Sequence, residues 1–467
     1  MSKTMKFTLL PLFAALVIAG CATPAAVDPA ALPATPAAFK EGDGRWTTSA
    51  PAEAQPRGEW WKAFADPTLD QLVERAAANN TSIAVAAARL AQARAALRAT
   101  DANRTPQVGV SAGASRGAEA GAGGVPATLV SVGANLSYEV DLFGRLRAAS
   151  DAASLDAQSR EALLQSTRLL VQADVAQTYL ALRAIDEERS LVRDTVLAYR
   201  DTLRLTERRF DAGDVAELDV ARVRTQVAAT ESEAIALDRR RAELEHALAV
   251  LVGEPASNFG LGAGEWTTAL PVIPAGVPST VLARRPDVSA AQRSMQAAQA
   301  RVGVARTAWL PSLSLTAAGG HASPELGDLF NWSARTWGLG ALLSLPIFDG
   351  GRREAGVQSA NAELDAAVAS YREQVLVAFR DVEDQLSALR LLAEQSDAQS
   401  RAVASAARAT TLSTSRYRNG LVSQLDLLDA QRSELANRRQ ALQVKAAQYQ
   451  ATVGLVRALG GSWEAKS

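Results

Sequence analysis

Residues 136–145 read LSYEVDLFGR and residues 343–352 read LSLPIFDGGR, so Leu-Ser and Gly-Arg return at a constant spacing of 207 residues. Further pairs keep this spacing as far as the end of the match: Asp174-Val175 with Asp381-Val382, Ala181-Leu182-Arg183 with Ala388-Leu389-Arg390, Gly213 with Gly420, Leu218-Asp219 with Leu425-Asp426, and Gly253 with Gly460. Upstream the spacing becomes 205, since Ile83 aligns with Val288 and Pro106 with Pro311. A repeat of this length indicates one supersecondary unit that is used twice.

The composition favours long helices over a thick globular core. Apolar residues make up 48% of the 467 residues but aromatic residues only 5%, and alanine supplies much of the apolar share. The formal net charge of −1 gives no basic surface for nucleic acid. After residue 20, no apolar run reaches the roughly 18 residues that a transmembrane helix needs.

The N-terminus has the pattern of a secretory signal peptide over residues 1–20. Lys3 and Lys6 precede an apolar stretch, and Cys21, the only cysteine, follows it. The stretch resembles a bacterial lipoprotein box, which implies acylation of Cys21 and, because Ala22 follows, sorting to the outer membrane. Acyl chains contribute about 0.8 kcal/mol per buried methylene, so several of them would anchor the chain firmly. The alternative is an incidental free thiol. Residues 21–57, rich in alanine and proline, are expected to form the lipidated tether.

Both repeats show the same order of elements: a helix, two strands, a long helix and a second helix. The first repeat covers residues 58–253, with a helix at about 68–103, strands at about 106–116 and 128–140, and helices at about 145–211 and 216–252. The second covers residues 286–460, with a helix at about 287–309, strands at about 311–318 and 336–347, and helices at about 352–418 and 423–459. A linker at 254–285 joins them, and a tail at 461–467 follows.

The strands are predicted from strict alternation of apolar residues with glycine or small polar residues. Each run is about ten residues long, the length of a tilted strand that crosses an outer membrane. Trp309, Trp332 and Trp337 stand near strand ends, where aromatic girdles lie. A soluble sandwich would show the same alternation, but four strands in a chain of this length favour the membrane interpretation.

Neither long helix contains a proline, so each could reach about 100 Å at about 1.5 Å per residue. Gly213 and Gly420 mark the turns at their ends. Four strands cannot close a barrel, and an open sheet edge is not viable in lipid, so copies of the chain must combine.

Several motifs together resemble the TolC-like outer membrane factor family, in its NodT/OprM-like lipoprotein branch. The motifs are Trp60-Trp61, Phe64, Asp66-Pro67 and Leu69, DLFGR at 141–145, RRPDV at 284–288, PIFDGGR at 346–352, LDAQR at 428–432, and ALGG at 458–461 with Trp463. The resemblance covers nearly the whole chain. One departure is Asn79-Asn80-Thr81, where relatives often have proline and aspartate, and it concerns a local turn.

The resemblance implies an α+β membrane protein, a homotrimer with a twelve-stranded β-barrel, four strands per chain, continuous with a periplasmic α-helical barrel. Such proteins are passive exit ducts of tripartite, RND-type efflux systems for drugs or other small solutes. Their partners are a periplasmic adaptor (a membrane fusion protein), an inner-membrane transporter and outer membrane lipid. No cofactor is expected beyond the lipid on Cys21. The same fold could serve protein export or metal efflux, and a non-pore periplasmic coiled-coil lipoprotein is a remote alternative.

The resemblance also implies a periplasmic aperture at Leu425, Asp429 and Arg432. Their spacing of four and seven residues puts them on one helix face. The repeats differ here, because Asp429 aligns with Arg222 and Arg432 with Thr225. The alternative is an ordinary solvated ion pair, worth tenths of a kcal/mol.

The turns carrying Gly213, Val215, Gly420 and Val422 resemble adaptor-docking turns, although turn chemistry alone would explain the glycines. Asp219 and Asp426 are alike in the repeats and are interpreted as structural. Asp426 lies three residues after Ser423, in the pattern of a capping box.

Two G-x-S-x-G patterns, at 109–113 and 113–117, lie within one alternating strand, whereas a nucleophile elbow needs a strand followed at once by a helix. His246 and His321 are the only histidines, and neither stands in a catalytic or metal-binding motif. The glycine-rich stretch at 117–124 has no helix after it and is expected to be a surface loop. The sequence therefore predicts no enzyme.

Overall fold

A computed structural model describes residues 32, 34, 36, 38–41, 58–118, 126–271, 273 and 284–461. Cys21, the signal peptide, most of the tether, most of the 117–124 stretch, much of the end of the linker and Trp463 lie outside the described residues.

The described chain contains seven α-helices and four strands. The helices are α1 (Pro67–Asn79), α2 (Thr81–Ala102), α3 (Arg145–Asp211), α4 (Glu217–Leu251), α5 (Pro286–Thr307), α6 (Arg352–Arg418) and α7 (Gln424–Ala458). The strands are β1 (Gln107–Gly117), β2 (Ala127–Val140), β3 (Ser312–Ser323) and β4 (Arg335–Ser344). Short 3₁₀ turns are Trp60–Phe64, Ala256–Asn258, Leu326–Asp328 and Trp332–Ala334.

The four strands form one antiparallel sheet in the order β1-β2-β3-β4. The register sets Val108 opposite Leu136, Leu136 opposite Ala317 and Ala317 opposite Leu339. One face is therefore apolar and the other carries mostly small residues, as the alternation predicts. Strand β3 runs past the predicted end at 318. Strand β4 ends before the predicted residue 347, because Pro346 cannot donate to the ladder.

The prediction of one continuous helix over 68–103 is wrong, because Asn80 divides it. The Asn80 backbone is extended, with φ −65° and ψ 127°. Its Oδ1 accepts hydrogen bonds from the amides of Ser82 at 2.9 Å and Ile83 at 3.2 Å, so Asn80 caps the start of α2. Asp66 caps α1 in the same manner, with Pro67 in its first turn.

The long helices α3 and α6 have 67 residues each, and α4 and α7 have 35 each. The equal lengths follow from the repeat. Among the described residues, no helix is both long enough and apolar enough to cross a membrane.

The chain divides into two compact units, and each takes residues from both repeats. The first unit includes residues 88–162 and 290–374, and so holds the sheet. In its core, Met295, Ala298 and Val302 of α5 pack on Ala360 and Leu364 of α6.

The second unit includes residues 34–87, 163–289 and 375–467 of the chain. Part of the predicted tether packs in it: Phe39 is buried beside Phe379, and Glu383 accepts hydrogen bonds from the amides of Lys40 and Glu41. This stretch therefore has fixed contacts with α6.

Candidate functional site

The two turns that follow the long helices are built alike. Gly213 and Gly420 have φ of +81° and +72°. A hydrogen bond spanning the turn closes each helix, from the Asp214 amide to the Arg209 carbonyl at 2.8 Å and from the Leu421 amide to the Arg416 carbonyl at 2.9 Å. A Cβ at either glycine would meet nothing within 4 Å, so the positive φ alone favours glycine there.

The predicted docking valines are not the most exposed apolar residues of these turns. Val215 and Val422 are half-buried, whereas Leu218 is 58% exposed and Leu421 is 73% exposed. The leucines, which the sequence interpretation did not single out, therefore offer more apolar surface to a partner.

Helix α7 begins with the predicted capping box, which is confirmed. The Ser423 Oγ accepts from the Asp426 amide at 3.2 Å, and the Asp426 carboxylate accepts from the Ser423 amide at 3.0 Å. Hydrogen bonds from Ser423 hold the pKa of Asp426 below its usual range. Asp219, the aligned residue, forms no such capping box, because the start of α4 at Ala216 has no side-chain cap.

Leu425, Asp429 and Arg432 all lie exposed on α7. Asp429 and Arg432 do not pair with each other. The Arg432 Nε donates instead to the Gln226 Oε1 on α4 at 2.6 Å. Within the part of the chain that the structure describes, Asp429 forms no ion pair. The solvated pair expected as an alternative is therefore not formed, and the Asp429 carboxylate remains open to a donor from outside the described chain.

The matching positions of the first repeat have different contacts. Arg222, in the place of Asp429, pairs with Asp219 at 3.7 Å. Thr225, in the place of Arg432, donates to the Ala221 carbonyl at 2.9 Å. The two repeats are therefore chemically unlike at this level of the helices.

A buried polar cluster connects α3 to α6 and α7, close in sequence to both turns. Thr206, Tyr417 and Gln424 are at most 3% exposed. The Thr206 hydroxyl lies 3.2 Å from the Tyr417 hydroxyl and 3.2 Å from the Gln424 Oε1. Arg209 stacks over the Tyr417 ring and donates to its carbonyl. No sequence motif marks this cluster, and the aligned residues of the other repeat are Ser413, Phe210 and Glu217.

An apolar cluster adjoins these contacts. Tyr199 of α3 packs on Val223 and Val227 of α4 and on Leu428 of α7. Burial raises the pKa of Tyr199 to about 12, and its hydroxyl has no hydrogen-bond partner among the described residues. These contacts from α3 to α4 and α7 thus hold α7, the helix that carries Asp429, in position against α3.

A cluster of ion pairs, also not predicted from the sequence, holds part of the linker. The buried Asp186 accepts from Arg183 at 3.2 Å, Arg189 at 3.1 Å and Arg241 at 2.7 Å. Arg183 also donates to the Gly262 carbonyl at 2.9 Å, and the Leu261 amide donates to Glu245 at 2.6 Å. These contacts hold the segment at 261–262 against α3 and α4.

The described residues contain no cluster of histidine, cysteine and carboxylate groups suited to a metal ion. The serines of both G-x-S-x-G patterns lie inside β1, His246 lies in α4 and His321 in β3. No nucleophile elbow is formed at these serines.

A family model described as "Outer membrane efflux protein" matches the chain over residues 72–254 and 277–461. The pyoverdine export outer membrane protein OpmQ of Pseudomonas putida is 36% identical to the chain and covers 98% of both sequences. The solvent efflux pump outer membrane protein SrpC of Pseudomonas putida is 33% identical over 98% of this chain and 99% of its own.

Among solved structures, the outer-membrane channel OprN superposes with a TM-score of 0.87 at 30% identity. The match covers 95% of this chain and all of the OprN chain. Sequence and fold therefore agree over nearly the whole length.

Proposed function

This chain belongs to the outer membrane efflux protein family, whose members are transport ducts, and it is the outer membrane channel component of an efflux system; we propose that three copies form its passive exit duct. The family match over both repeats carries this proposal. In this arrangement the three sheets close into a twelve-stranded barrel in the outer membrane, and the long helices extend into the periplasm.

The edges of the sheet support closure with further copies. Strands β1 and β4 are the outermost strands of the described sheet, so each has one edge without a partner strand. Unpaired backbone groups in lipid would each be unfavourable by several kcal/mol, and pairing of β4 with β1 of another copy removes them. The number three comes from the family resemblance.

The two faces of the sheet indicate which of them would be turned to lipid and which to the lumen of such a barrel. Val110, Trp337 and Leu339 lie on the apolar face and are 80%, 82% and 79% exposed. Lipid would cover these side chains, while serine and glycine on the opposite face would line a water-filled lumen.

The tunnel end would close at Leu425, Asp429 and Arg432. In a trimer, three copies of this face meet around the axis, and Asp429 of one copy can accept from Arg432 of the next. The open carboxylate of Asp429 supports this pairing across subunits. The Gln226 contact of Arg432 would compete with it, so the closed state depends on the α4–α7 arrangement.

The partners would be a periplasmic adaptor at the turns around Gly213 and Gly420 and an inner-membrane transporter behind it. Relatives are named as pump or export components, which supports a multi-protein system. Their names refer to pyoverdine and to solvents, so small solutes are the proposed cargo. Metal ions or proteins as cargo remain outcomes of a transport test.

Acylation of Cys21 would add a lipid anchor to the barrel. Growth with a clickable palmitate analogue should label the wild type, and Cys21→Ser should remove the label. Labelling of the Cys21→Ser variant would contradict this assignment.

The duct itself is tested with the purified full chain in detergent and in planar bilayers. We expect the mass of a trimer, and discrete conductance steps after insertion. A monomer that inserts without conductance would overturn the proposal.

A further inference from the structure

The apolar face of the sheet ends in basic residues at the β3–β4 connection. Here "apolar sheet face" denotes the side chains that the register places together on β3 and β4: Leu313 with Leu343, Leu315 with Ala341, Ala317 with Leu339, Gly319 with Trp337, and His321 with Arg335. Along β4 the face therefore passes from leucine through tryptophan to arginine. Its end next to the connection is cationic and aromatic.

The guanidinium of Arg335 makes few contacts with the described residues. Its Nε donates to the Trp332 carbonyl at 3.1 Å, and the group lies over the Trp332 ring. Within the described residues, its two terminal nitrogens make no hydrogen bond and Arg335 forms no ion pair. In the β3–β4 connection, Asp328 accepts a hydrogen bond from Asn331 at 2.9 Å and does not neutralise Arg335.

Exposed aromatic residues lie at this end of the apolar sheet face. Trp332 and Trp337 are 78% and 82% exposed, and Phe330, whose ring centre lies 5.7 Å from that of His321, is 74% exposed. Rings of this size are unfavourable in water unless a partner or lipid covers them. Tryptophan, with an apolar body and an N–H, suits the boundary between acyl chains and headgroups.

The height of the apolar sheet face fits one lipid leaflet and part of the next. From Arg335 to Leu343 the strand advances about 27 Å at about 3.4 Å per residue, or about 20 Å across a membrane when tilted by about 40°. An apolar band in an outer membrane barrel is about 25 Å tall. Arg335 and His321 would thus lie at the headgroup level of the outer leaflet.

We propose that His321 and Arg335 form a binding site for the phosphate of an outer-leaflet lipid. The terminal guanidinium nitrogens donate to the phosphate oxygens, and the acyl chains cover Trp337 and Leu339. Guanidinium is suited to this role because its planar donors match phosphate oxygens in pairs. The inference rests on the proposed passage of the sheet through the outer membrane with its helices on the periplasmic side.

The test uses the full-length protein in a neutral maltoside detergent, with bound lipid counted by native mass spectrometry. The probes are lipid A with both phosphates and enzymatically dephosphorylated lipid A. The variant Arg335→Gln/His321→Gln removes the site. Arg372→Gln/His246→Gln changes the same residue types at exposed positions outside the sheet and serves as the matched control.

We expect the site variant to bind phosphorylated lipid A roughly tenfold more weakly than the wild type, because it removes the guanidinium donors that would face the phosphate. The control variant should bind like the wild type, and dephosphorylated lipid should bind equally to all three proteins. Arg335→Lys keeps the positive charge without the paired donors and should bind more tightly than Arg335→Gln, which separates loss of the site from loss of the fold.

Equal retention of phosphorylated lipid by the site variant and the wild type would overturn the inference. Displacement of the lipid by inorganic phosphate at matched concentration would also overturn it, because the site would then hold a free anion. Conductance in planar bilayers is measured on the same proteins. Its absence in the wild type counts against the duct, whereas normal conductance without phosphate preference counts against this site alone.

Discussion

Asn80 and Arg285 occupy the same place in the two repeats and contact the same place in them. The Asn80 Nδ2 donates to the Leu251 carbonyl at 2.8 Å, and the Arg285 Nη1 donates to the Ala458 carbonyl at 3.3 Å. Each residue directly precedes a helix, α2 or α5, and its side chain ties this helix start to the last turn of α4 or α7. Only the arginine adds charge to this contact: Arg285 also pairs with Asp287 at 2.7 Å and with Asp381 at 3.2 Å.

Arg285→Ala should destabilise the protein by about 2–3 kcal/mol. Removing the buried guanidinium takes one cation away from Asp287 and Asp381. The partial exposure of both carboxylates and the Arg380 contact of Asp381 reduce the usual penalty of about 3–5 kcal/mol for breaking a buried pair. The urea midpoint of the purified protein measures the loss, and Arg372→Ala on the α6 surface should leave it unchanged. Equal midpoints for wild type and Arg285→Ala would show that the ion cluster is not stabilising.

Substitution of the glycines should separate backbone conformation from close contact. Gly253 and Gly213 both have positive φ, but a Cβ at Gly253 would lie 2.4 Å from the Asn79 carbonyl oxygen, whereas one at Gly213 meets nothing within 4 Å. Gly213→Ala should therefore lower the free energy of unfolding by about 1 kcal/mol, because of the left-handed conformation alone. Gly253→Ala should lower it clearly more, because the new Cβ also clashes. The midpoints of thermal unfolding of both variants show which substitution lowers the stability more. A larger loss at Gly213 would contradict the contact argument.

Asp174→Asn and Asp381→Asn should have opposite effects at neutral pH, although the two aspartates are equivalent in the repeats. Burial raises the pKa of Asp174, with Arg457 opposing the shift, and Asn80 stands where the second repeat has Arg285. An acid with a raised folded-state pKa gives full stability below its unfolded pKa and loses it as pH rises through the folded pKa. Asp174→Asn should thus stabilise at pH 7 and have less effect near pH 4.

Asp381→Asn should destabilise at pH 7, because it removes one of the two carboxylates that pair with the buried Arg285. The midpoint of thermal unfolding is measured for both variants at the two pH values. If Asp381→Asn stabilises the protein, the ion pair with Arg285 is not stabilising. If the effect of Asp174→Asn grows as the pH falls, the pKa of Asp174 is not raised.

Local rules were sufficient for the long elements. Helices without proline, ending at Gly213 and Gly420, could be bounded from the sequence because positive-φ glycine and an interrupted apolar pattern both mark the same turn. The alternation likewise predicted which strand residues share a face. These signals are local, and the repeat presents each of them twice.

Contacts between distant residues could not be predicted in this way. Asn80 is no stronger a helix breaker than its neighbours by propensity, and its carbonyl partner, Leu251, is 171 residues away. Thr206 and Tyr417 are 211 residues apart, and neither belongs to a recognisable motif. The partner of Asp429 depends on how copies of the chain assemble, which the sequence of one copy does not specify.

Photo-crosslinkers at the helix turns should capture an adaptor more strongly at exposed leucines than at half-buried valines. Leu218 and Leu421 offer the larger apolar surface, and Val215 and Val422 the smaller. A probe at Ile235, which is 69% exposed on α4 far from the turns, is the control. Crosslinking in living cells, with adducts identified by mass spectrometry, makes the measurement. Adducts of equal yield at Ile235 would argue against docking at the turns.

Asp429→Ala with Arg432→Ala should raise single-channel conductance in planar bilayers. The variant removes the acceptor and the donor that would join neighbouring copies around the axis, so the closed end of the tunnel should widen. Removal of Arg432 also releases Gln226 on α4, which loosens the contact between the two helices of the closed state.

The matched control for conductance is Arg222→Ala with Thr225→Ala, at the equivalent positions of the first repeat. Arg222 pairs with Asp219 and Thr225 donates to the Ala221 carbonyl inside one chain, so these positions offer no open carboxylate like that of Asp429 to a neighbouring copy. The control should therefore conduct like the wild type. If both double variants raise conductance equally, the effect comes from general loosening of the helices and the aperture assignment to α7 fails. If neither does, Asp429 and Arg432 do not close the tunnel.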